Sequence, residues 1–226
     1  MKAVVKLSAE AQAIAILREQ IVSGGLPPGA RIIEMDLSAE LQIARATLRQ
    51  ALHHLAQEGL IVLIPYTGWM VVDLTAKDAW ELYTLRAALE SLAAQLATAK
   101  LDDVGRKKLT AAMARLAKTS TIGTLSDAAE ADFALHETIV GLSGHRRLIE
   151  QYRIVSQQVR MFIASSDALM LTGKSLIEQH QPIVDAILAG EGKRAAGLSE
   201  DHTTSTGQEL VAHLEAQEAA KKGTRA

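Results

Sequence analysis

The chain has 226 residues, of which 48% are hydrophobic, 22% charged and 3% aromatic, and its formal net charge is −2. This composition predicts one large or two small domains with cores packed mainly between helices. The absence of cysteine excludes disulfides, zinc ribbons and thiol catalysis, so a metal site must use histidine, aspartate, glutamate or water. No apolar run reaches the ~20 residues of a membrane span, and the N-terminus lacks a signal-peptide core, so we expect a cytoplasmic protein.

The first part of the chain begins with two predicted helices. Apolar residues at three- and four-residue spacing predict a helix over 9–23, which ends at the glycines and prolines of "SGGLPPGAR". A short helix is predicted over 37–43, with Asp36 or Ser38 as its N-terminal cap.

A third helix and a hairpin complete this part. The helix is predicted over 45–58 and ends at Gly59. The stretch "LIVLIPYTGWMVVDL" has two β-rich runs on either side of a turn at 65–68, which predicts a small hairpin. Three helices followed by a hairpin are typical of a winged helix-turn-helix, in which the third helix enters the major groove of DNA and the hairpin forms the wing.

The second part of the chain shows no strand pattern. A capping box at "TAKD" opens a long helix along which leucines repeat at three- and four-residue spacing, at positions 82, 85, 89, 92 and 96. Further helices are predicted over 103–118, 126–142, 145–170, 174–190 and 193–218. We therefore expect a mainly α protein, with a winged helix-turn-helix domain at 1–74 and an antiparallel all-α bundle at 75–226.

DNA binding cannot rest on bulk charge, because residues 1–74 carry six Lys and Arg against seven acids. Local placement is the better guide. Arg45 and Arg49 lie four residues apart near the start of the third helix and share one face, where an arginine can read guanine or hold a phosphate. Arg31 follows the "PPGA" turn and is placed to hold a backbone phosphate. The alternative is a solvated helix face that carries two arginines.

Four polar residues of the predicted bundle form a candidate metal site. Asp132 and His136 lie one helical turn apart in "EADFALHETIVG", and His180 and His202 lie in two later helices. Three imidazoles and a carboxylate suit Zn²⁺ or Ni²⁺, and bundles commonly build such sites from facing helices. The alternatives are a local Asp132–His136 ion pair and histidines that are simply exposed or hydrogen-bonded.

The N-terminal sequence resembles the DNA-binding domain of the GntR regulators. The resemblance rests on the "IVSGGLPPG" turn, on Arg31 and Glu34, on "RATLRQAL" and "EGLI", and on the wing glycine. It implies that DNA is contacted by Arg31, Arg45 and Arg49, with Thr47 and Gly68 in the same DNA-facing set. The chain departs from the usual pattern where Thr47 replaces a proline and where the wing "PYTGW" lacks a basic residue, which implies fewer phosphate contacts.

The C-terminal sequence resembles the FCD effector domain of the FadR-type GntR subfamily. The matching segments are "ELYTLRAALESLAAQLA", the D-x-x-x-H at 132–136 and "EQHQPIVDAILAG". The resemblance implies that a divalent metal, zinc or nickel, is bound by Asp132, His136, His180 and His202. It also implies that Arg86 faces a pocket and pairs with an effector carboxylate, and that Arg160 is a second anion contact. The alternative is that Arg86 forms an exposed pair with Glu90 one helical turn away.

Together these patterns predict a homodimeric transcriptional repressor rather than an enzyme. Its partners would be double-stranded operator DNA and a small organic acid that binds at the metal site, with no membrane partner. One alternative is a metal-dependent hydrolase that uses the same four residues to activate water. Against it, the sequence has no paired His-Asp dipeptide of the helical phosphohydrolases and no evident general base. Another alternative is a DNA-binding protein with a purely structural metal.

Overall fold

The protein forms two compact units with a predominance of helix. The computed structural model describes residues 7–73, 75–165 and 173–223. Unit 1 comprises Met1–Leu74 and Gln157–Ser166, and unit 2 comprises Thr75–Ser156 and Asp167–Ala226. Helices and one small antiparallel sheet make up the regular structure of the described residues, which confirms the mainly α fold. The domain boundary at 74 stays a prediction, since unit 1 also takes a later segment of the chain.

Unit 1 has three helices and a three-stranded sheet. In chain order they are α1 (Ala9–Val22), β1 (Arg31–Ile32), α2 (Glu34–Glu40), α3 (Arg45–Gln57), β2 (Ile61–Ile64) and β3 (Gly68–Val71). The strand order is β1-β3-β2, with both pairings antiparallel. The predicted hairpin is β2–β3. The sequence did not predict β1, because two residues are too few to show an alternating pattern.

The core of unit 1 gathers one face of each element. Leu48, Leu52 and Leu55 of α3 are fully buried and pack with residues of α1 and the sheet. Met161 joins the same core from the end of a later helix, whose residues 157–165 group with unit 1. Long-range packing of this kind leaves no local signal in the sequence.

The predicted start of α2 is wrong. The helix begins at Glu34, its N-cap is Ile33, and that residue makes no capping hydrogen bond through its side chain. Glu34 and Asp36 instead occupy the first turn, where carboxylates interact favourably with the positive end of the helix dipole. Ser38 is not a cap either, because its hydroxyl donates to the Met35 carbonyl.

Unit 2 is an all-α bundle. Its helices are α4 (Ala76–Lys100), α5 (Asp103–Ile122), α6 (Leu125–Leu142), α7 (Arg146–Ser165, of which the end belongs to unit 1), α8 (Gly173–Leu188) and α9 (Gly192–Gly223). The predicted capping box between Thr75 and Asp78 is present, and Thr124 and Asp127 form another. The last residues of the helix predicted over 145–170, namely 166–170, lie outside the described residues.

The buried face of α4 is lined mainly by small and polar residues rather than by its leucine stripe. Leu85 and Leu92 are 52% and 44% exposed. Tyr83, Arg86 and Glu90 are buried, together with most of the alanines of the helix. Small side chains let α4 and α9 pack closely, and this packing places two charged residues inside the bundle.

Candidate metal centre and DNA-facing surface

Three helices of unit 2 bring the predicted ligand residues together. His136 lies on α6, His180 on α8 and His202 on α9, and one ligand atom from each falls within 4.8 Å of the others. The Nε2 atoms of His136 and His180 are 3.0 Å apart. Asp132, one turn before His136, places Oδ1 2.9 Å from His180 Nε2 and Oδ2 3.9 Å from His136 Nε2.

Hydrogen-bond partners assign the protonated nitrogen of two of these rings. His180 Nδ1 lies 2.7 Å from the Leu176 carbonyl oxygen, which can only accept, so Nδ1 carries the hydrogen. His136 Nδ1 lies 3.0 Å from the Glu90 carboxylate and is a donor for the same reason. In their neutral forms, both rings therefore direct a lone pair from Nε2 into the cluster.

These lone pairs fit a bound cation. Two Nε2 lone pairs at 3.0 Å repel each other unless a positive species lies between them. Ligands at right angles and ~2.1 Å from a metal are themselves about 3 Å apart. Asp132 Oδ1 is buried and has no hydrogen-bond partner when His180 Nε2, 2.9 Å away, carries no hydrogen. The donor set and its unsatisfied oxygen therefore match a divalent ion that prefers nitrogen and oxygen ligands.

Burial and neighbouring charges shift the pKa values of His202, His180 and Asp132. Burial, with His180 and His136 nearby, lowers the pKa of His202 to about 3. Burial acts to lower the pKa of His180, but the Asp132 carboxylate outweighs it and the pKa rises. Burial acts to raise the pKa of Asp132, but His180 and His136 hold this pKa below its usual value. Protons and a metal would therefore compete for the same lone pairs.

Glu90 stands behind His136 as a fully engaged carboxylate. Its Oε1 accepts from Arg86 Nε at 2.7 Å and from Tyr152 Oη at 2.8 Å. Its Oε2 accepts from Thr203 Oγ1 at 2.8 Å and lies 3.0 Å from His136 Nδ1. Burial acts to raise the pKa of Glu90, but Arg86 and His136 hold that pKa well below its usual value. A carboxylate in this position fixes the orientation and tautomer of a ligand histidine.

Little in the sequence indicated this role for Glu90. An arginine and a glutamate four residues apart look the same on a solvated face and on a buried one. Arg86 and Glu90 do form an ion pair, at 2.7 Å. The alternative in which this pair is exposed is wrong, because Arg86 is only 4% exposed. The clue that was available is an acidic residue within a run of alanines and leucines.

Arg86 has aromatic neighbours. Its guanidinium carbon lies 5.6 Å from the centre of the Tyr83 ring and 5.9 Å from that of Phe133. Arg86 also acts electrostatically on Asp132, so the guanidinium and the histidine cluster belong to one site. Arg160 groups with unit 1, and its role as a second anion contact stays a prediction.

The two arginines of α3 that are predicted to face DNA are exposed, and both form ion pairs with one glutamate. The side chains of Arg45 and Arg49 are 60% and 56% exposed. Glu34 pairs with Arg49 at 2.7 Å and with Arg45 at 3.7 Å, and it accepts from Trp69 Nε1 at 3.2 Å. This one carboxylate links the start of α2, the start of α3 and β3. Sequence reasoning used Glu34 only as a family marker and missed this contact.

The remaining DNA-facing candidates lie on the same unit. Arg31 is exposed on β1, Thr47 is half-buried in the first turn of α3, and Gly68 begins β3 with a φ of 97°. That φ is in the left-handed region, which favours glycine. The wing has apolar exposed side chains, among them Leu63 and the fully exposed Tyr66. The contacts of Arg31, Thr47 and Gly68 with DNA stay predictions.

Comparison with known families decides the identity. Residues 9–71 match the family described as bacterial regulatory proteins, gntR family, and residues 81–205 match the FCD domain. The chain belongs to the GntR family. Its two matched domains, in this order, make it a DNA-binding transcriptional regulator of the GntR family with an FCD domain.

Relatives and solved structures agree with this family. The chain is 32% identical over 141 residues to the Nta operon transcriptional regulator of Aminobacter aminovorans, covering 62% of this chain and 66% of that protein. It is 27% identical over 188 residues to the "Probable D-xylose utilization operon transcriptional repressor" of Paenarthrobacter nicotinovorans, covering 82% and 81%. A GntR transcriptional regulator from Rhodococcus sp. RHA1 superposes with a TM-score of 0.76 at 26% identity, covering 91% and 99%.

The family membership also settles the class of protein. The matched families and relatives are transcriptional regulators and not enzymes, so the prediction of a non-enzyme is confirmed and the hydrolase alternative has no support. None of the helices described is long and apolar enough to cross a membrane.

Proposed function

We propose that this GntR-family regulator is a repressor whose operator binding is controlled by a small carboxylate bound at a divalent metal. The observation that carries the proposal is the convergence of histidine nitrogens from three helices beside the unsatisfied Asp132 oxygen. With neutral rings and no metal ion, the cluster would hold facing lone pairs and a buried polar atom without a partner, which costs roughly 1–3 kcal/mol per group. A proton on His180 would remove both features, so proton uptake is the alternative to the metal.

The metal ligands in this proposal are Asp132, His136, His180 and His202, and the ion is zinc or nickel. Glu90 and the Leu176 carbonyl hold two of the rings so that Nε2 faces the ion. A divalent ion held there supplies positive charge and open coordination positions for a carboxylate oxygen. Arg86 completes the site, because a guanidinium binds carboxylates through parallel hydrogen bonds.

Operator binding is assigned to unit 1, with Arg31, Arg45 and Arg49 as the main contacts and Thr47 and Gly68 beside them. We propose that the regulator works as a homodimer in the cytoplasm, where its operator is, since helix-turn-helix proteins commonly read two half-sites. The exposed Leu85 and Leu92 of α4 support an interface with a second copy.

Repression is proposed because the Paenarthrobacter relative is named a repressor. The regulator must have one conformation that binds the operator and one that does not. Control by an effector requires that the carboxylate bind one of these conformations more tightly than the other. Release from DNA on effector binding is the direction we propose.

Calorimetry of metal-loaded protein with simple carboxylates tests the site. Binding should disappear when a chelator removes the metal, and Arg86→Ala should weaken it by about tenfold or more, the loss of one charge-assisted contact. His180→Ala should reduce metal content, whereas His213→Ala, on the same bundle but outside the cluster, should not. Carboxylate binding that is unchanged by both the chelator and Arg86→Ala would rule out this site.

An operator recovered from a random duplex library tests the coupling. A carboxylate that binds at the metal should lower the affinity of the wild-type protein for that operator. The same carboxylate should leave the affinity of His180→Ala unchanged. Equal responses of the two proteins would show that the effect does not pass through this site.

A further inference from the structure

The charges inside the bundle limit which acid can bind there. Glu90 is 2% exposed, and each of its two oxygens faces two donor groups. Arg86 Nε can only donate to Oε1, and His136 Nδ1, in the tautomer assigned above, can only donate to Oε2, so a proton on either carboxyl oxygen would conflict with one of these contacts. Glu90 therefore carries a full negative charge at the back of the site.

Among the described residues of unit 2, three charged side chains form ion pairs in or next to the histidine cluster. They are Arg86, Glu90 and Asp132, and the other groups that contact Glu90, Tyr152 and Thr203, are neutral hydroxyls. The two carboxylates and one guanidinium leave one negative charge. With neutral histidines, a divalent ion turns this into one net positive charge.

We propose that Glu90 sets the charge of the effector, so that the site selects a monocarboxylate over a dicarboxylate of the same size. This inference rests on the metal and carboxylate site of the proposed function. A single carboxylate neutralises the site, whereas a second one would bring an unpaired charge into the bundle. Burial of an unpaired charge is strongly unfavourable.

Glu90 thus acts on specificity through charge and not through contact with the effector. It pairs with the Arg86 guanidinium through Nε, and we assign the contact with the effector carboxylate to the Nη groups. Without the charge of Glu90 the site would carry two positive charges, which a dicarboxylate would match. The acid identity at position 90 therefore decides which anion is preferred.

Calorimetric titration of the metal-loaded wild-type protein with matched acids is the first test. Lactate has a methyl group where tartronate has a second carboxylate, and gluconate has a hydroxymethyl group where glucarate has a second carboxylate, at the end of a longer chain. The monoanion of each pair should bind at least about tenfold more tightly, the effect of one unit charge several ångström away at an effective dielectric constant of ~20. Metal content is measured after each titration, because dicarboxylates can chelate the ion.

Substitutions at position 90 are the second test. Glu90→Gln keeps the side-chain shape and removes the charge, so the affinity ratio of dianion to monoanion should rise by about 10- to 100-fold. Glu90→Asp keeps the charge and should keep the preference for the monoanion. Glu200→Gln makes the same change on the exposed side of α9 and should leave the ratio as in the wild type.

The outcomes separate the two proposals. If the metal-loaded wild-type protein binds none of the four acids, the proposed carboxylate site is wrong, and this inference with it. If it binds them but favours the dianions, or if folded Glu90→Gln keeps the wild-type ratio, only the role of Glu90 is wrong. If Glu90→Gln does not fold, the affinities of the wild-type protein and of Glu90→Asp for the two pairs of acids still show whether the site prefers the monoanion or the dianion.

Discussion

At the scale of single residues, His202 links the cluster to the pH dependence of folding. Its pKa is lowered to about 3 by burial and by the other two histidines. An unfolded histidine has a pKa of ~6.5, so unfolding below that pH takes up a proton. The metal-free protein should therefore lose stability as pH falls from 6.5 toward 3, and His202 should account for about 2 kcal/mol of the loss between pH 7.5 and 5.

Urea denaturation of metal-free wild type and His202→Gln measures this contribution. His180 has a raised pKa, and its contribution has the opposite sign, being lost as pH rises. The difference between wild type and variant isolates His202, and the variant should have the shallower slope below pH 6.5. His213→Gln is the matched control. Parallel slopes for wild type and His202→Gln would contradict the assignment.

Arg49 carries a second prediction at this scale. If it holds a backbone phosphate, Arg49→Ala should weaken binding to all duplexes and reduce the salt dependence of log K by about one unit of slope. If it reads a base, the loss should be confined to the selected operator. Arg115→Ala, which removes an exposed arginine from unit 2, is the control. Unchanged affinity for both kinds of duplex would remove Arg49 from the interface.

At the scale of elements, the packing of α9 on α4 depends on one glycine. A Cβ at Gly207 would lie 2.6 Å from the Cβ and 2.8 Å from the Cγ of Tyr83. Gly207→Ala should therefore destabilise the protein by about 1–3 kcal/mol through overpacking. At Gly197, also on α9, nothing lies within 4 Å, and alanine should stabilise the helix by about 0.5–1 kcal/mol. Thermal denaturation of the two variants should give shifts of opposite sign.

The elements show where local patterns are reliable. Thr75 with Asp78 predicted the start of α4, because a capping box is formed by residues three apart. The leucine stripe of α4 was a poorer guide, because Leu85 and Leu92 are exposed while Arg86 and Glu90 are buried. Periodicity marks a helix, but it does not decide which face meets the neighbouring helices when alanines allow a closer fit.

At the scale of the whole molecule, unit 1 is completed by a segment far along the chain. Met161 is 1% exposed in the core of unit 1, and Gln158 Nε2 donates to the Glu58 carbonyl at 2.8 Å. Met161→Ala in the full chain should destabilise this unit by about 2–4 kcal/mol, the cost of a cavity in a packed core.

Amide hydrogen exchange measures the stability of unit 1 separately from that of unit 2. Amides of α3 should exchange faster in Met161→Ala than in the wild type, while amides of α5 should keep their rates. Met35→Ala removes a methionine that is 65% exposed in the same unit, and it should change neither. Unchanged protection of α3 in Met161→Ala would show that the segment contributes nothing to the stability of unit 1.

The sequence by itself determined the order of the helices and the wing hairpin, and the family resemblance predicted the grouping of Asp132 with three histidines. Caps, turns and periodicity are local, and the residue types of the site limit its chemistry. Only the tertiary structure decided that Glu90 and Arg86 are buried, that Glu34 links two arginines, and that residues 157–166 belong to unit 1. Each of these depends on which faces meet after folding, and contacts between distant residues leave no periodic pattern in the chain.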